Sequence, residues 1–221
     1  MSKPVVIFGL TDFARIARIY LEHDSPHDVV AYTVDQAYRD RDELGGLPVV
    51  AWEQLRDTHP PDEFDLLVAT GFKRVNQVRA EIFTRVKEAG YDCITYVHSS
   101  VARWPTTTFG ENTFVFEENV VQPNVTVGDD TILWSGNHIG HDGRIGSHCF
   151  IASHAVVSGN VTIGDFCFIG VNATFRDGVT VAPKTVVGAG ALIMKDTVEG
   201  GVYSVRGTPP HEVRSWDLPS F

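Results

Sequence analysis

The sequence predicts an α/β domain with a short parallel sheet, followed by a left-handed parallel β-helix made of hexapeptide repeats. Over the first hundred residues, short apolar runs alternate with segments of helical periodicity, a pattern typical of βαβ units and a parallel sheet. From residue 109 onward, a large apolar residue recurs at every sixth position, which is typical of a parallel β-helix. We therefore expect two domains, residues 1–100 and residues 101–221, the second ending in a segment that closes the β-helix.

The first domain shows predicted strands and helices in alternation. The predicted strands are Val5–Phe8, Val29–Val34, Leu66–Ala69 and Ile94–Val97. The predicted helices are Ala14–Leu21, which has apolar residues at helical spacing, and Val75–Ala89, which ends at Gly90 in a position suited to a C-cap. Ligands of open α/β sheets bind beyond the carboxyl ends of the strands, so those ends are candidate binding positions.

The second domain is defined by a hexapeptide frame that runs without a break. Its large apolar residues are Phe109, Val115, Val121, Val127, Leu133, Ile139, Ile145, Ile151, Val157, Ile163, Ile169, Phe175, Val181, Val187 and Ile193. Two positions before these residues lies a column of mostly small ones, such as Ala155 and Ala173. We expect the large residues to fill the core and the small ones to let the chain turn at the corners. No repeat buries its apolar face alone, so stacking creates the core.

Three six-residue rungs make one coil of a triangular prism, so residues eighteen apart stack in vertical columns. His141 stands two residues after Ile139, which places it on the outside of the prism. Gly159 lies one coil above His141 and has no side chain, which leaves a recess beside the histidine. Asn137 and His138 are close to this recess in the sequence, and we treat them as candidate contacts for a substrate.

His141 is the candidate general base of this recess. An unperturbed histidine has a pKa of about 6.5, so it is mostly neutral at physiological pH and accepts a proton readily. Asp142 follows it directly and is a candidate for orienting the ring or stabilising its protonated form. The alternative interpretation is that both residues belong to a solvated turn and take no part in catalysis.

A cluster of histidines raises the alternative of a zinc site. The four residues are His138, His141, His148 and His154. A zinc site needs three or four converging ligands, whereas His138 and His141 are expected to point to different faces, and the other two lie on adjacent sides of the prism. We therefore predict no metal. Cys149 and Cys167 fall in the small inward column, and we interpret them as core residues rather than nucleophiles.

The composition argues against several partners and environments. The 221 residues carry a formal net charge of -10, so a basic surface for nucleic acid is not expected, and an anionic membrane is disfavoured. No run of about 18 apolar residues is present, so we expect no membrane span. The first residues lack a signal-peptide pattern, and the three cysteines lack metal-type spacing. These features favour a cytoplasmic protein.

The hexapeptide frame and its polar residues resemble those of the bacterial sugar acetyltransferases of the hexapeptide-repeat superfamily. The likeness lies in Gly136–Asp142, Ile145–Gly146, Val157–Gly159 and Ile163–Gly164. It is strongest to the sialic acid O-acetyltransferase type and to the N-acetyltransferases of nucleotide-linked 4-amino sugars. Those enzymes also join a small Rossmann-like domain, which binds the acceptor, to a left-handed β-helix. The resemblance implies an acetyl-CoA-dependent transferase that acts on an amine or hydroxyl of a sugar, in surface polysaccharide or glycan biosynthesis.

The resemblance also implies an assembly and a set of site residues. It implies a homotrimer with active sites between neighbouring β-helices, and direct acetyl transfer with His141 as general base and Asp142 assisting. The pantetheine arm of acetyl-CoA would run along the outer wall past Gly159. The residues expected to contact the cofactor through their backbones are Phe150, Val171 and Ala189. In relatives a second histidine often occupies the position of Phe150, so a side-chain role there is not carried over.

The loop after the first strand departs from the family pattern. Relatives carry a Gly-rich loop there that holds the nucleotide of the acceptor, whereas this chain has only Gly9, followed closely by Thr11 and Asp12. A carboxylate at a helix N-terminus competes with a phosphate, although Asp12 is equally suited to be the N-cap. Asp35 and Gly71 end the second and third strands, so a binding pocket formed by these residues is expected to persist with an altered ligand.

Two other classes of function stay open at the level of sequence. One is a β-helix metalloenzyme of the carbonic anhydrase type, which needs histidines from adjacent subunits. The other is a non-catalytic binding protein or scaffold. The sequence also leaves open the identity of the acceptor, the choice between amide and ester, and the role of Ser215–Phe221.

Overall fold

A computed structural model of the chain describes residues 3–210 and 212–217. In the first domain the elements are β1 (Val5–Phe8), α1 (Asp12–Asp24), β2 (Val29–Val34), β3 (Glu43–Leu44), β4 (Leu47–Ala51), α2 (Trp52–Thr58), β5 (Asp65–Val68) and α3 (Gln77–Glu88). A single 3-10 turn, Gln36–Tyr38, follows β2. The predicted alternation of strands and helices is therefore present, with additional elements between β2 and β5.

The N-terminal sheet has the strand order β3-β4-β2-β1-β5. All neighbouring strands are parallel except β3 and β4, which form a hairpin. Successive side chains of a strand point to opposite faces. Val5 and Ile7 accordingly pack against α1 on one face, while Val6 and Phe8 pack against α2 and α3 on the other. The sheet is thus covered by helices on both faces, as expected for parallel strands.

The sequence prediction missed the hairpin and the short helix between β2 and β5. The hairpin turns at Gly45 and Gly46, whose φ angles of 58° and 84° are left-handed. Such a Gly-Gly pair between apolar residues is a hairpin signal. The strand β4 carries Pro48 and is only partly buried, so its apolar run is short and was not recognised.

The strand predicted at Ile94–Val97 belongs to the β-helix and not to the N-terminal sheet. Only Tyr96–Val97 is a strand, β6, and it pairs in parallel with Phe114–Val115. A bridge between Cys93 and Leu66 joins the start of this segment to β5 of the N-terminal sheet. The β-helix therefore starts before residue 101, because the residues eighteen positions before Phe114 and Val115 already form a rung.

The β-helix consists of three parallel sheets, one for each side of the prism. After β6, its two-residue strands are β7 (Thr108–Phe109), β8 (Phe114–Val115), β9 (Val120–Val121), β10 (Thr126–Val127), β11 (Ile132–Leu133), β12 (His138–Ile139), β13 (Arg144–Ile145), β14 (Phe150–Ile151), β15 (Val156–Val157), β16 (Thr162–Ile163), β17 (Phe168–Ile169), β18 (Thr174–Phe175), β19 (Thr180–Val181), β20 (Val186–Val187), β21 (Leu192–Ile193) and β22 (Val202–Tyr203). Neighbouring strands pair residues eighteen apart, as Val120, His138 and Val156 do. The predicted left-handed β-helix is confirmed.

Each rung turns at a residue with a left-handed backbone. From Asn112 to Gly190, every sixth residue has a positive φ, between 51° and 73°. These corner residues are Asn112, Glu118, Asn124, Asp130, Gly136, Asp142, His148, His154, Asn160, Phe166, Asn172, Gly178, Lys184 and Gly190. Glycine, asparagine and aspartate tolerate this conformation best, which explains their frequency at the corners.

The three sides of the prism share an apolar interior but differ on the outside. On the threonine face the outward residues are Thr108, Thr126, Arg144, Thr162 and Thr180. On the aromatic face they are Tyr96, Phe114, Ile132, Phe150, Phe168, Val186 and Val202. On the valine face they are Val120, His138, Val156, Thr174 and Leu192. Among residues 3–210 and 212–217, the N-terminal domain packs on the aromatic face.

The N-terminal domain packs on the aromatic face through rings from both sides. Phe13 of α1 meets Phe114 edge-on with ring centroids 5.6 Å apart, and Tyr20 meets Phe116 at 4.9 Å. Phe116 in turn stacks on Trp134 at 4.4 Å. These apolar residues form one continuous core with the sheet residues of the N-terminal domain. The two domains are therefore joined by a hydrophobic interface and not by a linker.

The C-terminal closing segment adds a last strand to the aromatic face. In β22, Val202 pairs with Val186, so this coil is two residues shorter than the others. Within the segment Ser215–Phe221, a short 3-10 turn covers Ser215–Asp217, and residues 218–221 lie outside the described residues. No helix in the described part of the chain has the length and apolar character needed to span a bilayer.

Candidate active site

His141 and Asp142 form a hydrogen-bonded pair at the corner between the valine face and the threonine face. The ring Nδ1 of His141 lies 2.8 Å from a carboxylate oxygen of Asp142. Both side chains are about half exposed, at 52% and 50%. The corner conformation of Asp142, with φ of 54°, turns its carboxylate back toward the preceding ring. A single chain thus contains the hydrogen bond that an orienting role of Asp142 requires.

Asn124 holds Asp142 from the coil below. Its side-chain Nδ2 donates a hydrogen bond of 2.9 Å to the Asp142 carboxylate. This hydrogen bond and the one from His141 lower the pKa of Asp142 below its usual value. Asp142 is therefore ionised near neutral pH and accepts from Nδ1–H of His141. The lone pair of His141 is then on Nε2, the atom that can take a proton from a substrate.

Gly159 lies against the ring of His141, as the eighteen-residue column predicts. A Cβ added to Gly159 would stand 2.6 Å from Nε2 of His141, closer than any real contact. Gly140 is equally restricted, because its Cβ would stand 2.4 Å from the backbone of Ser158. The ring of His141 therefore packs against the backbone at Gly159, where only glycine fits, and a carboxylate oxygen of Asp177 stands 3.0 Å from the same Cβ position.

The backbone of His141 is fixed by a residue that the sequence analysis did not select. Gln122 accepts a hydrogen bond from the backbone N–H of His141 through its side-chain oxygen, at 2.9 Å. Asn124 was missed in the same way, although the eighteen-residue column places it directly below Asp142. The eighteen-residue spacing therefore indicates Asn124 as a partner of Asp142. Gln122 lies nineteen residues before His141, one residue out of that column, so no periodicity indicates it.

The residues expected to contact the cofactor lie away from His141 within one chain. Val171 and Ala189 are exposed and stack in one corner column, which borders the valine face on the side opposite to His141. Phe150 lies on the aromatic face, is 7% exposed and stacks on Phe168 with centroids 5.5 Å apart. Of the predicted cofactor residues, a single chain brings only Gly159 to His141.

The prediction that Asn137 contacts a substrate is wrong. Asn137 is 1% exposed and lies inside the prism. Its side-chain oxygen accepts from the backbone N–H of Ala155 at 2.8 Å, and its Nδ2 donates to the carbonyl oxygen of Trp134. Because this amide satisfies the backbone of the coils, it is not free to reach a ligand. His138, by contrast, points outward on the valine face and is partly buried.

At the carboxyl edge of the N-terminal sheet, β1 and β5 approach closely. Gly9 has a φ of 134°, and a Cβ there would stand 2.6 Å from the carbonyl oxygen of Ala69. Thr11 donates to the same oxygen through Oγ1 at 3.3 Å. Gly71 has nothing within 4 Å of its Cβ position and faces open space. Gly9 is thus explained by chain packing, and Gly71 leaves room at this edge.

The two carboxylates expected at this edge are each paired with an arginine. Thr11 is the N-cap residue of α1 and Asp12 its first helical residue, so the alternative that Asp12 is the N-cap is wrong. Asp12 forms an ion pair with Arg15. Asp35 lies 2.8 Å from Arg85, whose guanidinium also stacks over Phe8 and Trp52, 5.4 Å from each ring centroid. The negative charge that would compete with a phosphate is therefore largely compensated.

The clustered histidines and the cysteines have other partners in the structure. His148 contacts Asp130 at 2.9 Å and stacks on Phe166. In the described part of the chain, no three His, Cys, Asp or Glu residues are grouped so that they could hold a metal ion. Cys149 and Cys167 are fully buried in the prism, and burial raises the pKa of Cys149 well above its usual value. Cys149 is therefore an unsuitable nucleophile.

Comparison with known proteins agrees with this architecture. Residues 142–176 match the family model described as bacterial transferase hexapeptide (six repeats). The structure is similar to PerB from Caulobacter crescentus, solved with CoA and GDP-perosamine, at 26% identity and a TM-score of 0.78, covering 91% of this chain and 92% of that chain. No curated protein matches the sequence.

Two further structures share the fold at lower identity. The acetyltransferase domain of PglB from Neisseria gonorrhoeae FA1090 has 23% identity and a TM-score of 0.78, covering 91% of this chain and 96% of that chain. WeeI from Acinetobacter baumannii AYE has 18% identity and a TM-score of 0.76 over the same shares. These two likenesses and the one to PerB confirm the predicted fold. The likeness to PerB, together with the match to the hexapeptide transferase model, confirms the resemblance to hexapeptide-repeat sugar acetyltransferases and the prediction of an acyltransferase.

Proposed function

We propose that this chain transfers the acetyl group of acetyl-CoA to the amine of a nucleotide-linked amino sugar, with His141 as general base. The observation that carries the proposal is the His141–Asp142 pair, whose Nε2 lies beside Gly159, a position without a side chain. A carboxylate on Nδ1 keeps the basic lone pair of a histidine on Nε2, where it can take a proton from a bound substrate.

The choice of an amine on a nucleotide-linked sugar is supported by the likeness to PerB. A related solved structure, at 25% identity and a TM-score of 0.80, is described as a perosamine N-acetyltransferase in complex with CoA and GDP-perosamine. The paired carboxylates at Asp12 and Asp35 remove the main objection to a phosphate-bearing ligand in this chain. A free sugar and a hydroxyl acceptor are the alternatives that the experiment below distinguishes.

The proposed reaction is a direct transfer in a ternary complex. The acceptor nitrogen attacks the thioester carbonyl carbon, and Nε2 of His141 takes a proton from that nitrogen as the C–N bond forms. The carbonyl oxygen becomes an oxyanion, which backbone N–H groups stabilise by up to about 3 kcal/mol each. Collapse of this intermediate breaks the C–S bond, and the leaving thiolate takes the proton from His141. The products are an N-acetyl sugar and CoA with a free thiol.

Asp142 contributes by fixing the tautomer of His141. While the carboxylate accepts from Nδ1–H, the basic lone pair stays on Nε2, and the positive charge formed during attack is compensated. Gly159 contributes by its missing side chain, because any Cβ would fill the position next to Nε2. Acetyl-CoA is proposed to approach Nε2 as a thin chain along the coils.

A homotrimer is part of the proposal. The valine face leaves Val120, Val156 and Leu192 exposed by 42%, 41% and 61%. This face also separates His141 from Val171 and Ala189 within one chain. Association of copies through this face would bury its apolar side chains and bring the corner column of one copy to the histidine of another. A cytoplasmic location stays a prediction from the sequence.

The proposed function is tested by release of free thiol from acetyl-CoA with a panel of acceptors. The panel contains nucleotide-linked amino sugars, free amino sugars and free neutral sugars. We expect release with a nucleotide-linked amino sugar, and a loss of about 10²- to 10⁴-fold in kcat for His141→Ala with an unchanged Kd for acetyl-CoA. His23→Ala, which removes an exposed histidine of α1, is the matched control and keeps full activity.

Two results would contradict the proposal. Full activity of His141→Ala would remove the assignment of the base. No release with any acceptor, together with no binding of CoA by calorimetry, would remove the transferase function itself.

A further inference from the structure

The turn after β5 adopts an unusual backbone. Arg74, Val75 and Asn76 have φ angles of 52°, 50° and 65°, so three successive residues other than glycine are left-handed. A β-branched residue such as Val75 is especially unfavourable in this region. Strained backbone of this kind persists only where surrounding contacts hold it, and it is concentrated at ligand-binding sites. Contacts with the rest of the protein must therefore hold this turn in its left-handed conformation.

Asn76 and Arg79 hold the turn against the β-helix. Asn76 is fully buried and donates through Nδ2 to the carbonyl oxygen of Cys167 at 3.0 Å. Arg79 is also fully buried, and its Nε lies 3.0 Å from the Asp130 carboxylate. Its other nitrogens donate to the carbonyl oxygen of Cys149 at 3.0 Å and to the side chain of Asn76 at 3.3 Å. The end of the turn is thus fixed to three successive coils of the aromatic face.

Phe72 is the side chain that the fixed turn presents. Its ring lies 5.0 Å from the ring of Phe150 and 4.9 Å from that of Phe168, measured between centroids. Nevertheless the residue is 52% exposed. One side of Phe72 therefore rests on the aromatic face, and the other is open. The half-exposed ring is held in place, as an aromatic platform for a ligand needs to be.

Phe72 stands at the edge where ligands of parallel sheets bind. It follows β5 by a few residues and comes directly after Gly71, whose Cβ position faces open space. β1 is the hydrogen-bonded neighbour of β5, so the Gly9 loop lies at the same edge. The carboxyl edge of an open parallel sheet is the usual place for a nucleotide or a related ligand.

Lys73 supplies an unpaired cation next to the ring. In the described part of the chain, Lys73 makes no ion pair and no side-chain hydrogen bond, whereas Arg74 pairs with Glu81 at 3.1 Å. A lone ammonium group beside an exposed ring, on a chain with a net charge of -10, is suited to a ligand that carries both a ring and a phosphate. The carboxylates nearby, Asp12 and Asp35, are each paired with an arginine.

We propose that the turn Phe72–Asn76 is the acceptor-recognition element of this enzyme, with Phe72 stacked on a ring of the nucleotide-linked sugar and Lys73 bound to its diphosphate. This inference rests on the proposed function, since it names how the same reaction selects its acceptor. Phe72 and Lys73 touch the acceptor, whereas Asn76 and Arg79 are positioning residues. The ring that stacks is the base or the sugar, and probes that lack the sugar distinguish the two.

The test compares four variants in steady-state kinetics and calorimetry. Phe72→Ala is expected to raise the acceptor KM by about tenfold to a hundredfold, because a base stacked on an aromatic ring loses that much on removal of the ring. Phe72→Tyr keeps the platform and stays within about twofold. Lys73→Ala raises the acceptor KM by about fivefold, and less at high salt, because screening weakens the phosphate contact. In all three, kcat and the KM of acetyl-CoA stay unchanged.

Ile19→Ala is the matched control. Ile19 is a large apolar residue with a similar exposure of 54%, but it lies on α1, two turns away from the sheet edge. We expect no change in either KM for this variant. Calorimetry with GDP and UDP then locates the stacked ring. If Phe72→Ala raises the Kd for GDP and UDP, the ring that stacks on Phe72 is the nucleotide base. If it leaves that Kd unchanged but raises the acceptor KM, the stacked ring is the amino sugar.

The outcomes separate this inference from the proposed function. An acceptor KM unchanged in Phe72→Ala, with an unchanged Tm, overturns the inference, and so does a rise confined to the KM of acetyl-CoA. If the parent protein releases no thiol but binds GDP or UDP in a manner that depends on Phe72 and Lys73, the recognition element stands and the proposed reaction fails.

Discussion

The aromatic face and the valine face of the β-helix are built from the same repeat but have different surroundings. In both, a large residue points inward and its predecessor points outward, as Phe114 and Val115 do on one face and Val156 and Val157 on the other. Phe114 is 1% exposed because the N-terminal domain covers it, while Val156 is 41% exposed. The inward positions therefore define the coil, and the outward positions define what packs against each side.

The largest expected effect concerns Arg79, whose buried ion pair with Asp130 joins the N-terminal domain to the aromatic face. Arg79→Met leaves the fully buried Asp130 carboxylate without its cation, so we expect a loss of about 3–5 kcal/mol in the free energy of unfolding. Denaturant unfolding followed by circular dichroism measures it. The double variant Arg79→Met with Asp130→Asn removes the unpaired charge and should recover part of the loss. A double variant no more stable than the single one would show that the charge is not the cause.

The next effect compares two aliphatic residues of similar size on the two faces. Ile132→Ala on the covered face should cost about 2–5 kcal/mol, because Ile132 is 1% exposed and packs against α1 and the rings. Leu192→Ala on the valine face should cost less than about 0.5 kcal/mol in dilute protein, since Leu192 is 61% exposed. If the two variants lose equal free energy of unfolding at every protein concentration, the two faces are covered to the same degree.

A charge on the valine face tests whether copies associate there. If the proposed trimer forms through this face, Val156→Asp should give a monomeric mass by light scattering and should reduce turnover, because the proposed site between copies is lost. Thr126→Asp on the threonine face is the matched control, at an outward position one face away, and should leave the mass unchanged. If Val156→Asp stays trimeric, the copies associate through another surface.

The smallest effect concerns Asp142, at the exposed corner between the valine face and the threonine face. The pKa of Asp142 is lowered by Asn124 first and by His141 second, so its folded pKa is below its unfolded one. Its contribution to stability is therefore present above the unfolded pKa and is lost as pH falls through the folded pKa. Asn124→Ala should raise the pKa of Asp142 and move the acid limb of the activity profile to higher pH. NMR titration of the Asp142 carboxyl carbon measures the shift, and an unchanged pKa would contradict the role of Asn124.

The sequence alone predicts the β-helix, because the six-residue period is repeated along the whole domain. Fifteen large apolar residues at six-residue spacing define the rungs, and the eighteen-residue column correctly placed Gly159 above His141. The same spacing places Asn124 directly below Asp142, so the period also indicates this partner of the carboxylate. Asn137 was misassigned, because position along a rung had been treated as proximity, although this side chain points into the prism.

The remainder of the structure depends on contacts that no period encodes. Arg79 reaches Asp130 across fifty-one residues and two domains, and nothing in the local sequence marks either residue as a partner. Ile94–Val97 has the apolar character of a sheet strand, but its location depends on the stacking of Tyr96 beneath Phe114. The predicted helix Val75–Ala89 includes Val75 and Asn76, whereas these two residues are left-handed and the helix begins at Gln77. The contact that fixes Asn76 is with the β-helix, and the local sequence does not encode it.

The corner at every sixth residue also limits how such a chain changes in length. Insertion of eighteen residues would add one coil, raise everything above it by about 4.8 Å and leave each outward residue on its own side. Insertion of six residues would instead rotate all later rungs by one side, so that threonines would meet the N-terminal domain, phenylalanines would take the valine face and valines would take the threonine face. Viable gains and losses of sequence within this domain should therefore come in whole coils, or else be confined to loops that leave the prism and return at the same corner.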